Sequence, residues 1–335
     1  MTTRIGINGF GRIGRNYLRG ALARDNKPVE VVAVNDITAT ETLAHLLQYD
    51  STYGRLDRDI THDPESITVD GRRIAVTSER DPAALDWSAH GVDVVIESTG
   101  RFRARDDAAL HLKSGARKVL ISAPGKSADA TVVMGVNEGD YDPQQHHVVS
   151  CASCTTNCVV PLVHVLHERF GVVKGLMTTI HGYTNDQALL DSPHKDLRRA
   201  RSAAVSIIPT STGAARATGL VIPALDGALE GLAVRVPVED GSLTDLTVIL
   251  RTPATAEEIN AAYTEAADGP LRGILRASTA PLVSRDIVGD PASCVVDLPL
   301  TQAQGELVKV FGWYDNEWGY SNRLLDLTEY VAARF

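Results

Sequence analysis

Cysteine is scarce in this chain, with four residues in 335. So few thiols in so long a sequence exclude a disulfide framework and point to a reducing cytoplasm. Long hydrophobic runs are missing too. No stretch approaches the ~20 apolar residues that a membrane span needs. Positive charge is in the minority, 33 Lys and Arg against 42 Asp and Glu, for a formal net charge of −9. That balance argues against broad nucleic-acid binding and leaves room for a local basic pocket. Repeats and low-complexity tracts are absent. The opening Met1-Thr2-Thr3-Arg4-Ile5-Gly6-Ile7 meets glycine too soon for a signal peptide and reads as a first strand.

What remains is an ordinary globular composition, 44% hydrophobic and 22% charged. The length suits two domains. Up to about residue 150, short β-branched runs (4–7, 29–34, 92–97 and 119–121) alternate with helical periods (12–23, 39–47 and 104–113). Such alternation implies βαβ units and a mostly parallel sheet. Asp70-Gly71 between two short runs, 67–69 and 72–76, signals a hairpin, expected as an excursion from the parallel core. Beyond Phe170 the runs are longer and more separated, at 172–180, 232–236, 243–250, 294–298 and 307–314, with a helix over 257–267. This reads as an α+β domain with a large mixed sheet. Residues 181–206 carry no clean period, and loops this long are usually functional or disordered. The amphipathic end, from Arg323 onward, is expected to pack back on the first domain.

Gly9-Phe10-Gly11-Arg12-Ile13-Gly14 follows the first strand and opens the first helix. Alone, such a pattern can be glycines placed for packing. Here a second strand also ends in Asp36, about 20 residues farther on, where a ribose-binding acid belongs. Gly9 permits the tight turn, Gly11 lets backbone approach a pyrophosphate, and Gly14 lets helix and strand pack closely. Amides at the helix start face the phosphates. The fold class is therefore α/β, with a Rossmann-type NAD-binding domain. Asp36 accepts from a ribose 2′-OH and repels a 2′-phosphate, which favours NAD over NADP.

Mid-chain, Ser153-Cys154-Thr155-Thr156-Asn157-Cys158 places a thiol where a strand turns into a helix. The helix field favours a thiolate there. A buried packing cysteine is the bland alternative.

A nucleotide domain followed by this hexapeptide resembles the phosphorylating glyceraldehyde-3-phosphate dehydrogenase family, over nearly the whole chain. The matching blocks include Glu97-Ser98-Thr99-Gly100, Ile121-Ser122-Ala123-Pro124, Met134-Gly135-Val136-Asn137 and His181-Gly182-Tyr183-Thr184-Asn185-Asp186-Gln187. Others are Pro193-His194-Lys195-Asp196-Leu197-Arg198-Arg199, Thr210-Ser211-Thr212-Gly213, Val234-Arg235-Val236-Pro237 and Trp313-Tyr314-Asp315-Asn316-Glu317-Trp318. The resemblance implies an NAD-binding domain over 1–152, completed by a helix at about 319–335, and a catalytic domain over 153–318. It implies Cys154 as nucleophile and His181 as its partner. Their chemistry fits a hemithioacetal, hydride loss and a thioester open to phosphate. Both substrates carry phosphate, so anion sites are needed. Arg199 and Arg235 are the guanidinium candidates, with Ser153, Thr155, Thr184, Thr212 and Gly213 as neutral contacts. A solvated loop face is the other reading of Arg198, Arg199 and Arg201. For NAD the resemblance adds Arg12, Ile13, Arg80, Thr99, Ser122 and Asn316 to the three glycines and Asp36. Glyceraldehyde 3-phosphate and inorganic phosphate are the implied partners, in a cytoplasmic homotetramer needing neither nucleic acid nor membrane.

Cys151 stands where many members of that family have Asn. The resulting Cys151-Ala152-Ser153-Cys154 lacks the second pair that zinc or iron–sulfur binding needs, so no metal is expected. Cys151 or Cys158 could instead capture an oxidised Cys154, or both could merely pack. Gly182 and Ser192 also depart from common family residues. Erythrose-4-phosphate dehydrogenase is the neighbouring enzyme alternative, and Tyr183-Thr184-Asn185-Asp186 with Thr212-Gly213 favours the triose instead. A thiol redox sensor or a binding protein with no catalysis is the alternative of another class.

Overall fold

A computed structural model describes residues 2–25 and 28–335. Met1, where the first domain is expected to begin, lies outside them. The chain divides into two compact units. One comprises Met1–Val132, Glu138–Ala152 and Ser321–Phe335, the other Val133–Asn137 and Ser153–Tyr320.

In the first unit the strands are β1 (Thr3–Asn8), β2 (Val29–Asn35), β3 (Ile60–Asp63), β4 (Ser66–Val69), β5 (Arg72–Thr77), β6 (Val94–Glu97), β7 (Lys118–Ile121), β8 (Ala130–Thr131) and β9 (Val148–Ser150). They form one sheet in the order β3-β4-β5-β2-β1-β6-β7-β9-β8. From β5 to β8 every pairing is parallel. Parallel strands need crossovers, and helices α1 (Arg12–Ala23) and α2 (Thr40–Gln48) supply two of them. The stretch expected as one helix over 104–113 is two short ones, α3 (Arg105–Ala108) and α4 (Leu110–Lys113). Asp70 and Gly71 both take positive φ, 49° and 77°, as a two-residue hairpin turn requires. The hairpin is not an excursion. Its second arm β5 pairs in parallel with β2 through Ala33 and Ala75, so it extends the parallel sheet. Trp87 fills the core beside Ala33 and Val95. Gly6 is required there, because a Cβ would stand 2.8 Å from the Trp87 ring.

The second unit is built on α5 (Cys154–Phe170), β10 (Val172–Gly182), β11 (Ile208–Ser211), α6 (Ala214–Val221), β12 (Leu229–Val236), β13 (Ser242–Leu250), α7 (Ala256–Asp268), β14 (Leu275–Ser278), α8 (Ser284–Ile287), β15 (Cys294–Asp297), β16 (Gln302–Gln304) and β17 (Leu307–Tyr314). Its mixed sheet runs β11-β12-β10-β13-β17-β15-β14, with β16 on β17. α5 is buried over most of its length, and Val159, Leu162, Val163 and Leu166 are fully buried. A helix of that kind belongs in a core rather than on a surface. Ser153 caps it by accepting from Thr156 N–H at 3.0 Å, and Gly171 stops it with φ 71°. Thr255 and Glu258 close a capping box at the start of α7. The final helix α9 (Trp318–Ala332) belongs to the first unit from Ser321 onward. Among the described residues, no helix is long and apolar enough to cross a membrane.

Candidate active site

The glycine turn of the first unit has the shape expected of a dinucleotide cradle. Gly9 has φ +92°, and a Cβ on it would lie 2.7 Å from Thr99 N. Gly14 would place a Cβ 2.4 Å from Gly9 O, so helix and turn touch there. Gly11 has no protein atom within 4 Å of its would-be Cβ. The open space belongs to a cavity lined by Gly9, Gly11, Asp36, Arg80 and Thr99. Asp36 is held by Phe10 N–H and Thr38 N–H, at 2.8 and 3.0 Å. Beneath the cradle, buried Glu97 accepts from Thr99 N–H and Oγ1, from Asn8 Nδ2 and from His111 Nε2. Ser122 N–H bonds Glu97 O at 3.0 Å. Arg12 pairs with Asp50, and Ile13 is half-buried in the first turn of α1.

In the second unit, Cys154 is the first residue of α5 and His181 comes from the end of β10. Cys154 Sγ lies 3.4 Å from His181 Nε2. β10 and β12 pair in register with His181 opposite Arg235. That register sets Arg235 Nη1 2.6 Å from His181 Nδ1 and 3.0 Å from Gly182 O. A guanidinium only donates. Nδ1 must therefore accept, and the imidazole hydrogen lies on Nε2, toward the sulfur. The other tautomer would suit Gly182 O, 2.7 Å from Nδ1, but would oppose two donors. Arg235 Nε is buried with no hydrogen-bond partner among the described residues. A buried donor on a cation, with no protein acceptor, suits an anion.

Cys154 is only partly exposed. Burial of its surroundings pushes the thiol up to about 11, against the pull of Arg235 and of hydrogen bonds from Thr155. His181 is pushed down to about 3, first by burial and then by the charge of Arg235. The helix start alone favours a thiolate, as the sequence suggests, but desolvation outweighs it here. Both shifts favour a neutral thiol beside a neutral imidazole.

Three hydroxyls complete the setting. Thr155 bonds the sulfur through both its backbone and its side chain. Its Oγ1 is 2.9 Å from Tyr314 OH, which is 2.7 Å from Thr179 Oγ1. The three hydroxyls thus link Thr179, Tyr314 and Thr155 in one hydrogen-bonded series that ends at Cys154. Tyr314 lies in the block Trp313–Trp318 that carries the resemblance, but neither it nor Thr179 has a role assigned there. Their strands, β17 and β10, flank β13 on either side. Ser153 has its hydroxyl committed to the helix cap, shared with Thr156.

Arg199 is braced within the long 183–206 segment. It donates to Thr210 Oγ1 at 2.7 Å, Asp186 Oδ2 at 2.6 Å and Ser211 O at 3.3 Å. Its charge acts on Arg235. Arg201 pairs instead with Asp191 at the surface. Thr184 is tied to Gln187, and Thr212 with Gly213 starts α6. Asn316 is buried and accepts from Ser242 Oγ at 2.6 Å. Cys151 is buried, and the Cys158 thiol faces Gly312 O and Cys294. No group of three or more His, Cys, Asp or Glu among the described residues is placed to hold a metal ion.

A dinucleotide cradle in one unit, and a paired Cys and His beside a guanidinium in the other, fit the class of cofactor-dependent oxidoreductases. Comparison with known proteins narrows the class. Residues 3–105 match the glyceraldehyde 3-phosphate dehydrogenase NAD binding domain, and residues 153–316 match the C-terminal domain of the same family. Glyceraldehyde-3-phosphate dehydrogenase of Streptomyces coelicolor is 61% identical over 99% of each chain. That of Geobacillus stearothermophilus is 57% identical over 100% of this chain and 99% of its own. Glyceraldehyde-3-phosphate dehydrogenase 1 of Bacillus subtilis is 56% identical over the same shares. The chain belongs to the glyceraldehyde-3-phosphate dehydrogenase family.

Proposed function

We propose that this protein oxidises and phosphorylates D-glyceraldehyde 3-phosphate to 1,3-bisphosphoglycerate with NAD, through Cys154. The observation that carries the reading is the Cys154–His181 contact at 3.4 Å beside an Arg235 whose buried Nε has no partner among the described residues. The glycine cradle fits a dinucleotide, because the space over Gly11 is open to a pyrophosphate. Gly9, Gly14, Arg12, Ile13, Asp36, Arg80, Thr99, Ser122 and Asn316 are its proposed contacts. Asp36 already accepts two backbone N–H groups and has lone pairs left for a ribose hydroxyl.

The steps follow from the residues. In the resting site Nε2–H points at Sγ, so His181 begins as a donor. An arriving phosphate draws the Arg235 guanidinium to itself. By exchange with solvent the imidazole hydrogen then resides on Nδ1, which donates a hydrogen bond to Gly182 O, and Nε2 becomes the acceptor of the thiol proton. The Cys154 thiolate, steadied by Thr155 and the start of α5, adds to the aldehyde carbon. His181 passes the thiol proton to the alkoxide so formed, giving the hemithioacetal, and takes that proton back from its hydroxyl as the hydride leaves. Bound NAD supplies the hydride acceptor that turns this adduct into a thioester. Inorganic phosphate, held by Arg199, Arg235 and the donors at Thr184, Thr212 and Gly213, attacks the acyl carbon. The acyl phosphate leaves and the sulfur is restored.

The working form is proposed to be a cytoplasmic homotetramer, whose mass in solution checks the number. Exposed Leu189, Leu190 and Leu197 on the long segment support an association. The deciding assay follows NADH with glyceraldehyde 3-phosphate, with and without inorganic phosphate, against erythrose 4-phosphate. Full-rate turnover without phosphate would refute the thioester phosphorolysis.

A further inference from the structure

Asp240 and Asp315 are two buried carboxyl groups joined by a hydrogen bond, 3% and 1% exposed. Two carboxylates cannot share such a contact without a proton between them. Asp315 accepts three backbone N–H groups, from Gly289 at 2.7 Å, Glu317 at 2.9 Å and Trp318 at 2.6 Å, as an ionised carboxylate would. Asp240 Oδ1 accepts from Gly241 and Asn316 N–H, at 2.8 and 3.2 Å. The bond from Asp240 favours the charged form of Asp315, so Asp240 is its donor and carries the shared proton.

The pair grips the backbone of Asn316, and a second grip fixes its side chain. Gly182 N–H donates to Ser242 Oγ at 3.1 Å, so the one Ser242 hydrogen goes to Asn316 Oδ1. The amide is thereby oriented, with Oδ1 engaged and Nδ2 as the donor end. The turn that carries Asp240 has no slack. A Cβ on Gly241 would stand 2.1 Å from Ser284 O, and one on Gly182 would stand 3.1 Å from Val238 O.

We propose that Asp240 and Asp315 are positioning residues, a one-proton carboxyl pair that holds Asn316 as a hydrogen-bond donor to the cofactor's carboxamide oxygen. This rests on the reading of Asn316 as a nicotinamide contact. Burial raises the titration of Asp315, opposed by its bond from Asp240 and by the backbone donors, and the raised value belongs to the pair. Loss of the proton at alkaline pH sets two charges against each other and displaces the turn. The charged groups nearby do not relieve this. Arg285 is paired with Glu239 at the surface, Asp290 with Arg276, and Glu317 and Cys154 add only negative charge when ionised.

NAD affinity of the full-length protein, titrated from pH 6 to 10, tests the pair. Wild type should lose affinity at alkaline pH. Asp240→Asn keeps every hydrogen bond without a titrating proton. It should match wild type within about twofold at pH 7 and abolish the alkaline loss. Asp240→Ala should weaken binding about tenfold at every pH, roughly 1.4 kcal/mol. Infrared spectra of the cofactor-free protein at pH 7 should show a protonated-carboxyl band that Asp240→Asn removes. Equal pH dependence in wild type and Asp240→Asn, or no such band, overturns the pair. A band present with no NAD binding at any pH would instead overturn the cofactor reading of Asn316.

Discussion

Arg235 Nη1 stands 2.6 Å from His181 Nδ1, and it holds the imidazole in the tautomer whose hydrogen faces the Cys154 sulfur. Anion binding and the protonation of the catalytic pair are coupled through that one contact. Removing the guanidinium should act twice. Arg235→Gln should lower kcat/KM by about 10- to 100-fold, the worth of a charged hydrogen bond of ~1.5–3 kcal/mol. It should also raise the His181 titration, because the Arg235 charge is one cause of its low value. Nitrogen-15 spectra of labelled histidine report both the tautomer and the titration. An unmoved His181 in the variant would break the coupling.

The resting thiol is held neutral, pushed up to about 11 by burial. Alkylation of cofactor-free protein should then speed up ~10-fold per pH unit between pH 7 and 9, because only the thiolate reacts. A rate already level at pH 7 would mean a preformed thiolate and imidazolium.

His181 makes folding sensitive to acid. Its folded value is pushed down to about 3, whereas an exposed histidine titrates near ~6.5. Between these the unfolded chain binds a proton that the folded chain refuses, so stability rises with pH across that window. The contribution is complete above about 6.5 and is lost as pH falls toward 3. Urea midpoints at pH 7 and 4.5 should differ more in wild type than in His181→Asn, by roughly 2 kcal/mol.

Asp129 ties an edge of the first sheet. Burial alone would raise its carboxyl, but N–H groups of Val148 and His147 and the Arg105 guanidinium hold it below the usual range. Its stabilisation is present above ~4 and is lost as pH falls through the folded value. Asp129→Ala should destabilise by about 2–3 kcal/mol at pH 7, by leaving two N–H groups unpaired. The penalty should shrink in acid, and calorimetry at two pH values reads it.

The sequence exposes what is local. The glycine turn, the cap at Ser153 and the span of α1 depend on neighbours along the chain. Asn316, Cys154 and His181 were reachable through a resemblance in their flanking residues. Tyr314 shares the block of Asn316 but its part did not follow from that, and Ser242 lies just outside the strand expected over 243–250; the two come opposite each other only because β13 and β17 pair in antiparallel register. The four-residue strands Ile208–Ser211 and Leu275–Ser278 are too short to show a period. The neutral state of Cys154 was hidden for another reason. A helix field is legible in sequence, whereas the desolvation that opposes it depends on everything packed around the sulfur.

Gly11 and Gly14 separate a requirement for cofactor from a requirement for fold. A methyl on Gly11 meets no protein atom within 4 Å, so Gly11→Ala should fold with a melting temperature close to wild type. That methyl would occupy the space through which backbone approaches the pyrophosphate, so NAD affinity should fall by at least tenfold. A methyl on Gly14 would stand 2.4 Å from Gly9 O, a backbone atom that cannot swing aside. Gly14→Ala should therefore lose ~1–3 kcal/mol of stability as an overpacked site, along with cofactor binding. Calorimetric melting and NAD titration of the two variants decide the matter. If Gly11→Ala bound NAD as wild type does, the pyrophosphate would not lie over the start of α1.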